Sequence, residues 1–375
     1  MTARLCELRE IGLPLVAPFQ TSFGTQTSRR ILLVRAEVER DGVTTEGWGE
    51  CVAGDEPTYS SEYVDGAALV IREVLAPRLA AAAADLRAAD VATVLAPVRG
   101  HPMAKAALEM AVLDAELRAE QRSFASFLGV ERDRIPSGVS VGIHPTIDDL
   151  LASVQGYLDD GYVRIKLKIE PGFDLEPVAA VRDLIGPEVP LQVDANAAYT
   201  RHDAEHLAKL DAFDLLLIEQ PLPEDDLLGH AELAKAIGTP VCLDESITSE
   251  TVCADAIDVG AAEIVNIKAG RVGGYLTARR IHDLCRERGI PVWCGGMLET
   301  GIGRAANAAL AAMDGFTLPG DVSASRRFWA TDIVTEPIEV VDGHVAVPTG
   351  PGLGVTLDRD VLDRVTTSKV DLRRG

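Results

Sequence analysis

No run of apolar side chains in this 375-residue chain reaches the ~18 residues needed to cross a bilayer. The first ten residues, MTARLCELRE, lack a basic head followed by a long apolar stretch, so a secretory signal is not expected. No C-x-x-C pair occurs among the six cysteines at 6, 51, 242, 253, 285 and 294. Cys242 and Cys294 sit in apolar strand-like runs, which argues for reduced core thiols and against a zinc site or a disulfide framework. No G-x-G-x-x-G follows an early strand, so the dinucleotide-binding signature is missing. Positive charge is in deficit: 36 Lys and Arg face 58 Asp and Glu, a formal net charge of −22. That sign disfavours nucleic acid and anionic membranes as partners. A soluble, cytoplasmic protein is the expectation. Lysine is the scarce cation, with 7 Lys against 29 Arg, yet three of the seven lie inside apolar strand patterns.

What is present is ordinary for a globular protein: 47% hydrophobic residues and a length suited to two domains or to one barrel with an addition. Residues 1 to about 60 alternate as short strands, with ILLVRAEVE (31–39), a turn at Asp41-Gly42 and a second strand toward GWGEC. Residues 61–95 and 102–121 read as Ala- and Leu-rich helices. From about 135 the rhythm changes. Apolar strands at 135–143, 162–169, 190–196, 215–221, 240–246, 264–270, 291–296 and 316–321 alternate with helical patterns at a spacing near 25 residues. Eight such units predict an α/β fold with a (β/α)-barrel, an open doubly wound sheet being the alternative. The expected division is a capping domain over 1–130, a barrel over 131–325 and a C-terminal segment over 326–375 that packs back on the cap.

Strand side chains alternate between faces, so Val163, Ile165, Leu167 and Ile169 share one face and Arg164, Lys166 and Lys168 the other. In a barrel the second face points inward, where three cations are costly unless anions answer them. Asp194, Glu219 and Asp244 end the next three strands at intervals of 25 residues. Each lies at the C-terminal end of its strand, where barrel enzymes place their chemistry. Any one of them could cap the following helix. Three on consecutive strands with matched parity point instead to a divalent cation that resolves their mutual repulsion. All-oxygen ligation favours Mg²⁺, with Mn²⁺ or another divalent metal as the substitute. Lys168 on the second strand and Lys268 on the sixth then face each other across the mouth. A lysine beside a dication in a partly dry site has its pKa lowered, which suits a general base. The expected chemistry is removal of the α-proton of a small carboxylate substrate, with the metal stabilising the enediolate.

The motifs KLK (166–168), DAN (194–196), EQP (219–221) and DES (244–246), with the Lys268 strand, resemble in order and spacing those of the enolase superfamily, muconate-lactonizing subgroup. Within it the chain is similar to the o-succinylbenzoate synthase/N-succinylamino acid racemase family. The resemblance covers nearly the whole chain. It implies a modified (β/α)7β barrel capped by an α+β domain built from the N-terminal region and the C-terminal tail. It implies Asp194, Glu219 and Asp244 as metal ligands and Lys168 and Lys268 as the acid–base pair. Lys166 would neighbour the substrate carboxylate and Asn196 would support the site. Two cap loops, 17–25 with Phe19 and Phe23 and 51–59 with Tyr59, would close over the substrate, and Gly296, Met297 and Leu298 would line its succinyl end. Glu245, of opposite parity to Asp244, is expected behind the ligands; Arg271, three residues after Lys268, is either a helix-side surface group or, as the resemblance implies, a charge behind the ligands that lowers the pKa of Lys268. Two reactions follow: dehydration to o-succinylbenzoate, a menaquinone step needing one base, and 1,1-proton transfer on an N-succinylamino acid, needing both lysines. A dipeptide epimerase or cycloisomerase would keep the site and change the cap loops, the Gly54-Asp55-Glu56 stretch included. A non-catalytic scaffold would be expected to have lost a ligand or a lysine, and none is missing. A homo-oligomer is expected. None of the seven histidines is assigned a role, His101 and His230 being read as helix-associated.

Overall fold

A computed structural model describes residues 2–82 and 86–374. The chain opens with three antiparallel strands, β1 (Thr2–Thr21), β2 (Gly24–Arg40) and β3 (Val43–Cys51). Asp41 and Gly42 both take positive φ, the geometry a two-residue hairpin requires. Helices α1 (Val64–Val70), α2 (Ala76–Ala82), α3 (Ala88–Leu95), α4 (Pro102–Ala119) and α5 (Phe124–Leu128) complete this layer. Residues 83–85, between α2 and α3, lie outside the described residues.

Helix α4 is buried on nearly every side against the cap sheet. Gly47 and Gly49 on β3 allow that approach, since a Cβ on Gly49 would overlap the Ala107 carbonyl oxygen. Asp114, inside α4, ties three parts of the chain together. Its carboxylate accepts N–H groups from Trp48 at 2.9 Å and Leu353 at 2.8 Å and pairs with Arg118 at 2.9 Å.

After a short strand β4 (Arg134–Pro136) comes a parallel sheet of seven strands in sequence order. These are β5 (Gly138–Val141), β6 (Arg164–Lys168), β7 (Leu191–Asp194), β8 (Ile218–Glu219), β9 (Val241–Leu243), β10 (Ile264–Ile267) and β11 (Val292–Cys294). The main helices between and after them are α6 (Ile147–Asp159), α7 (Leu175–Ile185), α8 (Ala204–Leu207), α9 (Leu227–Ala236), α10 (Glu250–Asp258), α11 (Tyr275–Arg288) and α12 (Gly301–Ala311). The eighth expected strand, 316–321, is not a regular strand. It bridges β11 at Val292↔Phe316 and the start of β5 at Ser137↔Gly320, with Gly138 N–H donating to Gly320 O at 2.8 Å. Two parallel bridges therefore close the ring, and the curled sheet is a (β/α)-barrel.

Two hairpin strands, β12 (Val340–Val341) and β13 (His344–Ala346), extend from β4. After α13 (Arg359–Val365), β14 (Thr366–Asp371) pairs antiparallel with β1, so the last strand of the chain lies beside the first. Among the described residues no helix is long and apolar enough to cross a membrane.

The α4–β3 contact generates a paired prediction. Gly49→Ala forces backbone apart and should cost roughly 3 kcal/mol. Gly156→Ala, in α6 with open space around it, should stabilise by about 0.5–1 kcal/mol. Denaturant midpoints measure both, and a Gly49→Ala variant as stable as the parent would contradict the packing described.

Candidate active site

The inward face of β6 sets the site. Arg164, Lys166 and Lys168 are all buried, and the registers Lys168↔Asp194 and Asp194↔Glu219 bring acids alongside. Lys168 Nζ is 2.6 Å from Asp194 Oδ2, and Lys166 Nζ lies 3.2 Å from Asp194, 3.1 Å from Glu219 and 2.7 Å from Asp321. Across the ring, Lys268 Nζ is 2.7 Å from Asp244 Oδ2 and 3.1 Å from the Tyr59 hydroxyl. Arg271 pairs with the other oxygen of Asp244 and donates to Ile247 O at 2.8 Å and Asn266 O at 2.6 Å. Beneath them Trp293 is fully buried, its ring 4.8 Å from Lys166 Nζ and its indole N–H directed at Cys242 Sγ.

These contacts move the pKa values in opposite directions. Burial raises the Asp194 carboxyl, but Lys168 and Lys166 outweigh it and hold Asp194 well below the usual carboxylate range. Burial and the neighbouring Asp194 raise Glu219. Glu245, buried and facing the same negative charge, is pushed up to about 7. Burial dominates at Lys168 and lowers it despite Asp194. At Lys268 burial is overcome by Tyr59, Glu219 and Glu245, and the ammonium stands above its ordinary value. Arg271 stands beside the same carboxylate as Lys268, each on a different oxygen of Asp244.

Asn196 links the two halves. It takes positive φ, its N–H donates to Asp194 Oδ1 at 3.0 Å, its Oδ1 accepts from Lys168 at 2.7 Å, and its Nδ2 donates to Glu245 Oε1 at 2.9 Å. Gln220 plays a similar part for the DES turn, accepting the N–H groups of Asp244 and Ser246 and donating to Ser246 Oγ. Gly295 has no room for a side chain, since its Cβ would lie 2.7 Å from Lys268 Cε.

Above these groups a cavity of about 340 Å³ opens between barrel and cap. Lys166, Lys168, Lys268, Asn196, Phe19, Phe23, Tyr59, Gly296, Met297 and Leu298, all anticipated, line it. Segment 17–25 is not a loop but the tip of the β1–β2 hairpin, with pairs from Phe19↔Gln26 to Thr21↔Gly24. Ser22 Oγ donates to Ala195 O and Ile143 N–H to Gln20 O, which seats the tip on the barrel mouth. Gly54, Asp55 and Glu56 also line the cavity. Glu245 and Arg271 instead line a neighbouring chamber of about 440 Å³, with Tyr59 as the shared wall.

Sequence reasoning passed over Asp321, Ser140, Glu299 and Arg327, which also line the cavity. Asp321 carried a readable signal, an acid closing the eighth strand segment as Asp194, Glu219 and Asp244 close theirs. The histidines stay outside the site: His202 and His206 stand four apart, but His206 contacts Asp174 at 2.7 Å, and His230 is taken up by backbone groups of Asp226 and Leu222. All six cysteines are buried and free.

Among the described residues no three Asp, Glu, His or Cys side chains converge as a ready-made cage. Three carboxylates nonetheless end adjacent strands with hard oxygens only, each engaged here by an ammonium or guanidinium of the chain. The set fits a hard divalent cation in kind and in order.

A closed barrel with acids and lysines at the C-terminal ends of its strands, covered by a cap sheet, defines an enzyme of the acid–base barrel class. Residues 149–361 match the "Enolase C-terminal domain-like" family and residues 7–129 the "Mandelate racemase / muconate lactonizing enzyme, N-terminal domain" family. The chain belongs to the mandelate racemase/muconate lactonizing branch of the enolase superfamily. It is 64% identical over 364 residues, 97% of each chain, to an N-succinylamino acid racemase from Amycolatopsis sp. It is 48% identical over 360 residues, 96% of this chain and 94% of the other, to an o-succinylbenzoate synthase from Geobacillus kaustophilus. The crystal structure of an enolase-superfamily member from Listeria innocua superposes with a TM-score of 0.93 at 42% identity, covering 99% of both chains.

Asp321 yields the prediction here. Arg164 Nη2 lies 2.8 Å from Asp321 Oδ1, and Lys166 faces the other oxygen. Burial would raise this carboxyl, and Lys166 and then Arg164 outweigh it, so its pKa is held well below the usual range. Asp321→Asn strands the fully buried Arg164 and should cost about 3 kcal/mol at pH 7. Because the folded pKa is depressed, that difference is complete above about pH 4 and shrinks as pH falls toward the folded value. Stability curves of both proteins from pH 7 to pH 3 check it, and a constant difference would contradict the ion-pair account.

Proposed function

We propose that the protein abstracts the α-proton of a small carboxylate substrate and acts as an N-succinylamino acid racemase, an o-succinylbenzoate synthase, or both. One observation carries the reading. Lys168 ends β6 and Lys268 follows β10, four places apart in a ring of eight, so two amines enter one cavity from opposite sides. Inversion at carbon needs a base on each face, and this pair supplies them. The 64% identity to a racemase and the 48% identity to a synthase support the same chemistry.

Members of this superfamily generally use Mg²⁺, and Asp194, Glu219 and Asp244 would hold it. When bound, the cation supplies Lewis-acid stabilisation of charge developing on the substrate carboxylate. The remaining work falls to the chain. Lys168, already lowered by burial, is the readier of the two to accept a proton as free amine. Asn196 fixes the direction of its Nζ, and Tyr59 and Asp244 fix that of Lys268. In racemisation one lysine takes the α-proton and the other, as ammonium, returns a proton to the opposite face. In dehydration Lys168 alone takes the proton and returns it to the departing hydroxide, while Lys268 contributes positive charge. Lys166 lies between the two acids and presents charge to the substrate carboxylate. Phe19, Phe23 and Tyr59 exclude water above, and Gly296, Met297 and Leu298 form the wall for the acyl group. The synthase activity would place the enzyme in menaquinone formation. The same reading expects a cytoplasmic homo-oligomer.

The first test is proton NMR in D₂O with Mg²⁺ and one enantiomer of N-succinylphenylalanine. Loss of the α-proton signal with loss of optical rotation is expected, and no exchange in a protein shown to bind Mg²⁺ would remove the racemase reading. Lys168→Ala and Lys268→Ala should each lower racemisation by about 10²- to 10⁴-fold. Each variant should still exchange the α-proton of one enantiomer without inverting it, and racemisation at the parent rate in either would sink the two-base scheme. Dialysis against a chelator should abolish exchange, with Mg²⁺ or Mn²⁺ restoring it.

A further inference from the structure

Leu298 stands on the cavity wall in a conformation that its side chain disfavours. Its φ is 57°, in the left-handed region where a Cβ crowds the carbonyl oxygen that follows it. Such a residue persists only where its surroundings over-determine it. Here they do. The Glu299 carboxylate reaches back over Leu298 and accepts the Met297 N–H at 2.9 Å. The same Oε1 accepts Asn307 Nδ2, from the middle of α12, at 2.9 Å, and Asn307 Oδ1 accepts the Tyr275 hydroxyl at 2.9 Å. The Glu299 carbonyl accepts Arg304 Nη2 and Trp329 Nε1, both at 2.9 Å.

The other end of this turn is held by the cap. Glu50 lies on β3, is buried, and does not line the substrate cavity. Its Oε1 accepts the Thr300 N–H at 2.9 Å, and its Oε2 accepts the Thr300 hydroxyl at 2.7 Å and the Gly303 N–H at 3.0 Å. Thr300 is the N-cap of α12, so a cap side chain takes up donors at the start of the helix that follows the wall. Gly303 leaves the room this needs, since a Cβ there would lie 2.8 Å from Glu299 Cγ and 3.0 Å from Glu50 Oε2. A second buried acid of the cap, Glu109 on α4, seats on α11 instead. Its Oε1 accepts the Leu276 N–H at 3.0 Å, and its Oε2 has no hydrogen-bond partner among the described residues.

We infer that Glu50 and Asn307 are positioning residues for the reaction: neither lines the substrate cavity, and together they hold the Met297–Leu298 wall in the left-handed turn that shapes it. The kinetic consequence rests on the proposed α-proton chemistry, and the structural consequence stands on these contacts alone. The cap thus acts on the site by two routes. Its hairpin tip covers the mouth, while β3 fixes the shape of the barrel's own wall through the start of α12.

The test uses three variants. Glu50→Gln keeps the size of the side chain, but its NH₂ must face either the Thr300 N–H or the Gly303 N–H, so one bond is lost whichever way the amide turns. Asn307→Ala frees the Glu299 carboxylate and leaves the Glu50 contacts in place, which keeps the test open where Glu50→Gln loosens the whole cap. Glu109→Gln keeps the accepting oxygen and is the control for cap docking in general. With Mg²⁺ and N-succinylphenylalanine, the first two should raise KM about 5- to 20-fold and leave kcat within about threefold, because the wall meets a part of the substrate that the reaction does not change. Glu109→Gln should leave both constants at the parent values. A fall in kcat at constant KM, no change in either constant, or an equal rise of KM in Glu109→Gln would overturn the inference. Amide hydrogen exchange of the Mg²⁺-loaded protein without substrate, followed by mass spectrometry, gives a readout independent of turnover. Peptides over 296–303 should exchange about 10-fold faster in Glu50→Gln and Asn307→Ala, with the β1–β2 hairpin at the parent rate. That local change in a parent that shows no racemisation would remove the racemase reading and uphold the positioning role. Parent-like exchange over 296–303, or faster exchange spread evenly along the chain, overturns it.

Discussion

Three cations on the inward face of one strand govern this molecule. Arg164, Lys166 and Lys168 are buried in the barrel, where an unanswered charge would cost several kcal/mol. Acids from β7, β8 and the ring-closing segment meet them, and Asp244 does the same for Lys268 across the mouth. The lower half of the barrel can then be apolar, with Leu217, Cys242, Ile264 and Trp293 filling it. The upper half is an array of paired charges whose pKa values are driven apart, and the function proposed here grows from that array.

The cap supplies what the barrel lacks. Alone, the strand ends would open to water, and their charges would be screened. The β1–β2 hairpin tip and the segment around Tyr59 turn the mouth into a cavity, with two backbone-anchored contacts fixing the tip in place. Tyr59 stands at the boundary of two chambers and touches Lys268, Asp244 and Arg271 at once, so the cap reaches into the charge network as well as covering it.

Much of this was legible in the sequence because barrel strands obey a strict two-residue alternation. Parity assigned Lys166 and Lys168 to the inside, and even spacing assigned Asp194, Glu219 and Asp244 to neighbouring strand ends. Features without such a period were harder to read. The 316–321 segment closes the ring through two bridges and carries little strand pattern, so Asp321 at its end was passed over. Arg327 sits on a 3₁₀ turn, and its surroundings are assembled from three distant parts of the chain. The polar strand TTSKVD at the C-terminus shows no apolar alternation, and only its pairing with β1 makes it a strand. The direction of the Lys268 shift depended on which anions touch it, information that spacing does not contain.

The adjacency of the first and last strands bears on how the chain acquires its shape. The cap sheet is written in two pieces separated by more than three hundred residues, with the whole barrel inserted between them. Contacts of such long separation form late, because the chain must first lose the entropy of closing that loop. The barrel can assemble from local strand–helix–strand units while the cap sheet still lacks its final strand. On loop-closure grounds, the part that contains the site is free to assemble before the part that covers it is complete.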